Sequence, residues 1–269
     1  MTTLRVAVAG LGAIGWPVVE RLDRGLEGLR LTAVSARDRA GAEAKLAALT
    51  TPVPVLAPGA LAEAADVVVE ALPAAVFRDI AVPTLEAGRT FMTLSVGALL
   101  DNADLIDLAR RTGARIHVPT GALLGLDAVR AASYGTIHSV TMRTRKPPMG
   151  LAGAPYLKRH GFDMAAVTEP TRVFAGSARE AAKGFPANVN VAAALALAGI
   201  GPDRTTIEIW ADPTVTRNTH TIDVDADSTR FTMTIEGVPS EANPRTGKLT
   251  PLSVLAALDG LVTPLRVGT

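Results

Sequence analysis

A glycine turn set between a strand and a helix constrains this chain more than any other feature. Val6-Ala7-Val8-Ala9 is a short apolar run suited to a central parallel strand buried on both faces. It breaks into Gly10-Leu11-Gly12-Ala13-Ile14-Gly15, the G-x-G-x-x-G spacing, after which Ile14, Val18, Val19 and Leu22 recur at helical intervals. In such a turn the first glycine permits a tight bend, the second lets the backbone approach a pyrophosphate, and the third lets helix and strand pack closely. The helix N-terminus adds unpaired N–H groups and a positive dipole end. Gly10, Gly12, Ala13, Ile14 and Gly15 are therefore the expected dinucleotide contacts; the alternative is a glycine-rich turn with no ligand.

Further strand-like runs at Leu29–Val34, Asp66–Glu70, Thr90–Val96 and Arg115–Val118 alternate with helical spacing over Ala74–Ala87 and with a helix that Asp101 would cap. This alternation predicts an α/β chain with a Rossmann-type, doubly wound parallel sheet. From Ile137 the pattern changes. Ile137–Lys146, Thr205–Ala211, Asn218–Val224 and Arg230–Glu236 alternate apolar and polar residues, which predicts a second, α+β domain with a mainly antiparallel sheet. Ser177-Ala-Arg-Glu180 reads as a capping box whose helix is interrupted at Gly184-Phe185-Pro186 and restarts near Asn188. Thr250-Pro251 reads as an N-cap and first helical position, opening a last helix that returns to the first domain. The expected domains are 1–119 with 245–269, for the dinucleotide, and 120–244, for substrate and catalysis. Met149–Glu169, with Gly150, Gly153, Pro155 and Gly161, reads as a mobile loop.

Bulk properties narrow the function. A net charge of +1 with scattered Lys and Arg argues against a nucleic-acid partner. The absence of cysteine excludes disulfides, thiolate metal sites and cysteine nucleophiles. The strand begins too early for a secretory signal, and the longest apolar stretch, Val191–Ile200, is too short for a bilayer, so the expectation is a cytoplasmic protein with no membrane partner. Neither a metal-ligand spacing nor G-x-S-x-G occurs, so no metal site and no serine hydrolase is expected.

The residues that could choose the cofactor lie about 20 positions beyond the glycines, where an NAD site carries an acid that reads the ribose. That neighbourhood reads Val34-Ser35-Ala36-Arg37-Asp38. Ser35 leaves room for a 2′-phosphate and Arg37 could pair with one, whereas Asp38 keeps NAD open, so the cofactor is NADP or NAD. A plain surface pair between Arg37 and Asp38 is the other reading.

Of the four histidines, His220 is the informative one. In Asn218-Thr-His220-Thr-Ile222-Asp-Val224, alternation places Asn218 and His220 on the side that carries Ile222 and Val224. Polar groups buried there without partners would cost about 1–3 kcal/mol each, so they serve either chemistry or a satisfied hydrogen-bond network. Asn188 and Asn190, where the helix restarts, suit either a ligand or simple capping. Arg143, Arg145 and Lys146 end a strand as either partners for an acidic substrate or a solvated cluster.

At these positions the chain resembles the L-aspartate dehydrogenase family over nearly its whole length. The likeness is strongest in Thr144-Arg-Lys-Pro-Pro148, in Gly176-Ser-Ala-Arg-Glu-Ala-Ala182 with Phe185-Pro-Ala-Asn-Val-Asn-Val-Ala192, in Ala211-Asp-Pro213 with Asn218-Thr-His220, and in Asn243-Pro-Arg-Thr246 with Leu249-Thr-Pro-Leu-Ser253. The resemblance implies reversible, NAD(P)-dependent oxidative deamination of L-aspartate to iminosuccinate or oxaloacetate plus ammonia. It implies His220 as the catalytic residue, with Asn218 orienting it, and Ala122 and Asn188 as cofactor contacts. Asn190, Thr120 and Lys146 would face a dicarboxylic amino or oxo acid, and a homodimer is the implied assembly. One departure stands out: a loop expected as Ser-Gly-Ala-Ile-Gly-Gly reads Thr120-Gly-Ala-Leu-Leu124-Gly125. Leu124 in place of glycine opens a second reading, a dehydrogenase or imine reductase for another small amino or oxo acid. A third is an NADP-binding sensor or scaffold without turnover.

Overall fold

The computed structural model describes residues 3–186, 189–241, 243 and 246–268. Two compact units emerge, one comprising the residues up to Gly121 with Thr250–Arg266, the other Ala122–Leu249 with the chain's end from Val267.

The first unit is built on a five-stranded sheet in the order β2-β1-β3-β4-β5. Its strands are β1 (Leu4–Ala9), β2 (Leu29–Ser35), β3 (Val67–Glu70), β4 (Thr90–Thr93) and β5 (Arg115–His117). Every pairing is parallel. Alternation along β1 supplies two cores. Val6 and Val8 pack with Val18, Val19 and Leu22 and with Val254 and Leu258 of the helix Leu249–Asp259. Ala7 and Ala9 face the opposite way, toward Phe77, Ile80, Leu85 and Leu105. Burial on both faces is why these strands read as continuous apolar runs. Strand order reverses at β1, so the glycine turn sits at the topological switch point of the sheet.

Three sequence expectations shift here. Thr90–Val96 is shorter as a strand, because Val96–Asp101 forms a helix. Asp101 is that helix's last residue, and the next helix starts at Asp104 behind Ala103. Thr250 lies inside the last helix and is buried, so it does not act as its cap.

The second unit carries a five-stranded sheet in the order β10-β9-β6-β8-β7, formed by β6 (Ile137–Lys146), β7 (Thr171–Ser177), β8 (Thr206–Ala211), β9 (Thr219–Ala226) and β10 (Arg230–Glu236). Three pairings are antiparallel and β6–β8 is parallel. β7 is the strand that periodicity missed, an edge strand running directly into the capping-box helix Ala178–Gly184. Between β7 and β8 lies the alanine-rich helix Asn190–Ala198. Small side chains let that helix lie close to the sheet, where Ala192, Leu195 and Ala196 pack with Met142, Val224 and Ile209. Met149–Glu169 contains the short helix Pro155–Arg159, with Leu157 and Met164 in the same core.

A buried carboxylate joins the loops at the carboxyl end of the parallel sheet. Glu70 is fully buried and accepts four hydrogen bonds, from Leu72 N (2.9 Å), Thr93 Oγ1 (2.7 Å), Ser95 N (3.1 Å) and Ser95 Oγ (2.9 Å). Both oxygens are used, so an amide must turn its NH2 toward donors. Glu70→Gln is expected to destabilise the first unit by about 2–4 kcal/mol in denaturant unfolding, and a loss within error would show the network to be dispensable.

Candidate active site

In the second unit β6 and β9 place a polar cluster in an apolar core. Alternation along β6 buries Val140, Met142, Thr144 and Lys146 on one side, and that along β9 buries His220, Ile222 and Val224. The antiparallel register sets Thr144 directly opposite His220. Thr144 Oγ1 and the His220 Nδ1 lie 3.0 Å apart, with both residues buried. This hydrogen bond leaves Nε2 as the ring nitrogen available for chemistry. Lys146, two residues along the same face, is also buried, at 7% exposure. Thr144 and Lys146 line a small crevice whose other walls include Phe185, Val189 and Ile209.

Burial dominates the electrostatics. It pushes the His220 imidazole from its usual 6.5 down to about 4, with repulsion from Lys146 adding to it. Burial likewise pushes the Lys146 ammonium down to about 8. At neutral pH the cluster is thus a neutral imidazole beside an ammonium that still holds its proton. The unfolded ring would titrate near 6.5, so its contribution to stability is complete above that value and is lost as pH falls toward 4.

The other two cations at this strand end lie on the opposite face. Arg143 pairs with Asp223 (2.7 Å) and Glu208 (3.5 Å), and Arg145 pairs with Asp212 (3.1 Å) and lies over the Trp210 ring. Only Lys146 of the three shares the buried side with His220. The Asp212 backbone N–H donates to the Lys146 carbonyl (2.8 Å), and its carboxylate accepts from Arg145, Thr214 N and Thr214 Oγ1. That clamps the end of β6 beside the lysine.

Thr144 is the residue that sequence reasoning left out as a ring partner. Asn218 precedes β9, is half-buried and accepts from Gly237 N through its backbone carbonyl; the ring's hydrogen-bond partner among the described residues is Thr144. Pairing register was the missing signal, since it sets which residue of β6 meets residue 220. Asn190 opens its helix and is exposed. Asn188 lies outside the described residues. Ala122 is half-buried in the second unit. Thr120 is exposed in the first unit, next to Gly121, whose N–H donates to Ser253 Oγ (3.0 Å).

The glycine turn of the first unit passes a geometric test for a dinucleotide. A Cβ at Gly10, where φ is +101°, would collide with the Ala71 carbonyl oxygen, and one at Gly15 would collide with that of Gly10. At Gly12 a Cβ would meet nothing within 4 Å. The first and third glycines are required by the protein's own packing, while the second faces open space, as a backbone approached by a pyrophosphate must. Ala13 and Ile14 follow in the turn, ahead of the helix Gly15–Asp23. Ser35 ends β2 beside Ala9 and is buried, Arg37 is exposed, and Asp38 caps the helix Arg39–Leu46. Among the described residues no group of three His, Asp or Glu could hold a metal ion.

The fold and this turn define the class: a dinucleotide-binding protein built from a Rossmann-type unit and a second, mixed-sheet unit. The family described as the NAD-binding domain of homoserine dehydrogenase matches residues 10–119, and that described as the C-terminal domain of aspartate dehydrogenase matches residues 127–261. L-aspartate dehydrogenase of Bradyrhizobium diazoefficiens is 58% identical, covering 99% of this chain and 94% of its own. L-aspartate dehydrogenase 3 of Bordetella bronchiseptica is 54% identical over 99% and 98%. The crystal structure of aspartate dehydrogenase from Thermotoga maritima shares the fold with a TM-score of 0.74, at 24% identity over 98% of this chain and 99% of that one. The chain belongs to the L-aspartate dehydrogenase family.

Because Gly12 faces open space, Gly12→Val should fold with an unchanged thermal midpoint yet lose NADH and NADPH binding by at least about a hundredfold in fluorescence titration. Retained binding would remove the turn from the cofactor site.

Proposed function

We propose that this chain catalyses the reversible, NAD(P)-dependent oxidative deamination of L-aspartate, with His220 as general acid and base and Lys146 holding a substrate carboxylate. The observation that carries the proposal is the buried pair itself: a neutral imidazole fixed through Nδ1 beside a buried ammonium. The names of its full-length relatives supply the substrate. When bound on the glycine turn, the nicotinamide supplies the hydride acceptor.

The roles follow from the chemistry of the groups. The Lys146 ammonium, desolvated by its surroundings, attracts a carboxylate more strongly than an exposed lysine would. His220 Nε2 takes a proton from the substrate amine as its C–N bond becomes double. That proton passes to solvent, and the bare nitrogen then takes a proton from the water that adds to the same carbon and returns it to the amino group, which leaves as ammonia. Thr144 keeps the ring from rotating and fixes which nitrogen does this work. In the reductive direction the steps reverse, and a neutral ring whose pKa is low gives up a proton readily once charged. Asn188, Asn190, Thr120 and Ala122 belong to this reading as cofactor and substrate contacts. Cytoplasmic location and a homodimer belong to it as well, on the strength of the family resemblance. No helix among the described residues is long and apolar enough to cross a membrane.

Oxaloacetate, ammonium and NADPH or NADH incubated with the protein should give ammonia-dependent loss of reduced cofactor, and His220→Ala should lower kcat by roughly 10²–10⁴-fold. Turnover that is independent of ammonia, or unchanged in His220→Ala, would refute the assignment. The profile of kcat/KM for aspartate should stay level from pH 7 down toward 5, where His220 remains neutral, and should fall above about 8 as Lys146 loses its proton. Lys146→Arg, which keeps its charge, should remove the alkaline fall; an acid limb near 6.5 would contradict the buried ring.

A further inference from the structure

We infer that this enzyme selects the 2′-phosphorylated dinucleotide, NADP(H), over NAD(H), and that Arg37 is the specificity-determining residue. The inference rests on the reading that the dinucleotide lies on the glycine turn. It goes beyond that reading because the sequence around residues 35–38 is compatible with either cofactor.

The end of β2 borders the turn directly. Ser35 pairs with Ala9, and the Ser35 carbonyl accepts the Gly10 N–H at 2.8 Å. An NAD site holds a carboxylate in this neighbourhood to accept hydrogen bonds from the ribose hydroxyls, and that carboxylate repels a 2′-phosphate. The side chain here is a neutral serine, 1% exposed.

The nearest following carboxylate is already committed. Asp38 stands at the N-cap of the helix Arg39–Leu46, in extended conformation, and its Oδ1 accepts the Gly41 N–H at 3.0 Å. Gly41 permits this closeness, since a Cβ there would collide with the Asp38 carboxylate. A carboxylate used as a cap is turned toward its own helix, and its charge is met by the positive end of the helix dipole. Asp38 therefore explains the local backbone without any part in reading a ribose.

The cations of this segment divide in the same way. Arg39 pairs with Glu43 one turn along (2.8 Å). Lys45 lies over the Trp16 ring, with its Nζ 3.4 Å from the Leu11 carbonyl, which adds positive charge against the turn itself. Arg37 is exposed and, among the described residues, makes neither an ion pair nor a hydrogen bond. A planar guanidinium with no internal partner, next to a ribose position lacking an acid, matches a phosphate dianion and gains little from a hydroxyl.

Titration of the full-length protein with NADPH and with NADH, read by nucleotide fluorescence at fixed salt, tests this without turnover. NADPH should bind at least about tenfold more tightly, and rising salt should erode that advantage. Arg37→Ala should weaken NADPH by about tenfold and change NADH by less than about twofold. Asp38→Asn, which keeps a good cap, should leave NADH affinity unchanged. Equal affinities, a parallel loss of both nucleotides in Arg37→Ala, or weakened NADH binding in Asp38→Asn would each overturn the inference while leaving the glycine turn as the site. Unchanged binding of both nucleotides by Gly12→Val would overturn the reading beneath it as well.

Discussion

The hydrogen bond between Thr144 and His220 is the constraint on which the catalytic reading depends. An imidazole buried to this degree needs a polar partner for at least one nitrogen, and the antiparallel register provides a hydroxyl directly across the strand pair. The same burial that demands the bond also keeps the ring neutral at physiological pH, and the adjacent Lys146 ammonium reinforces that. Orientation and protonation state thus have a common origin. The surrounding apolar residues, Met142, Ile222, Val224 and the alanine-rich helix, are what make the hydrogen bond worth more than it would be in water.

The first unit solves a parallel problem by different means. Its sheet consists of strands that must be apolar on both faces, so specificity gathers at their carboxyl ends. There the backbone of the glycine turn is shaped by contacts with the Ala71 carbonyl, and the loop containing Ala71 is tied by Glu70 to Thr93 and Ser95. A buried carboxylate with every lone pair engaged is a rigid joint. It lets three successive strand ends hold one geometry while Gly12 stays open to a ligand.

Much of this was legible in the sequence because local rules and tertiary context agree. The glycine turn, the limits of β6 and the Ser177–Glu180 capping box all follow from short-range patterns that the packing then reinforces. Alternation also marked His220 as a polar residue on an apolar face. It could equally have sorted Lys146 from Arg143 and Arg145, since residues two apart share a side; reading the three as one basic cluster concealed that. The Thr144 partnership was not legible, because it depends on how β6 and β9 are aligned and not on either strand alone. β7 escaped notice because an edge strand that runs into a helix lacks both clear alternation and a turn at its end. Asp101 looked like a helix cap, but the apolar residues from Val96 start a helix before it.

The claim that a single neutral imidazole, fixed by Thr144, does the proton work is tested most directly by nitrogen-15 spectroscopy of the His220 ring in the intact protein. At pH 7 the spectrum should show one protonated and one bare nitrogen, a single tautomer without averaging, and the pattern should persist below pH 5. A ring protonated on both nitrogens at pH 7, or one whose two nitrogens give averaged shifts, would contradict it.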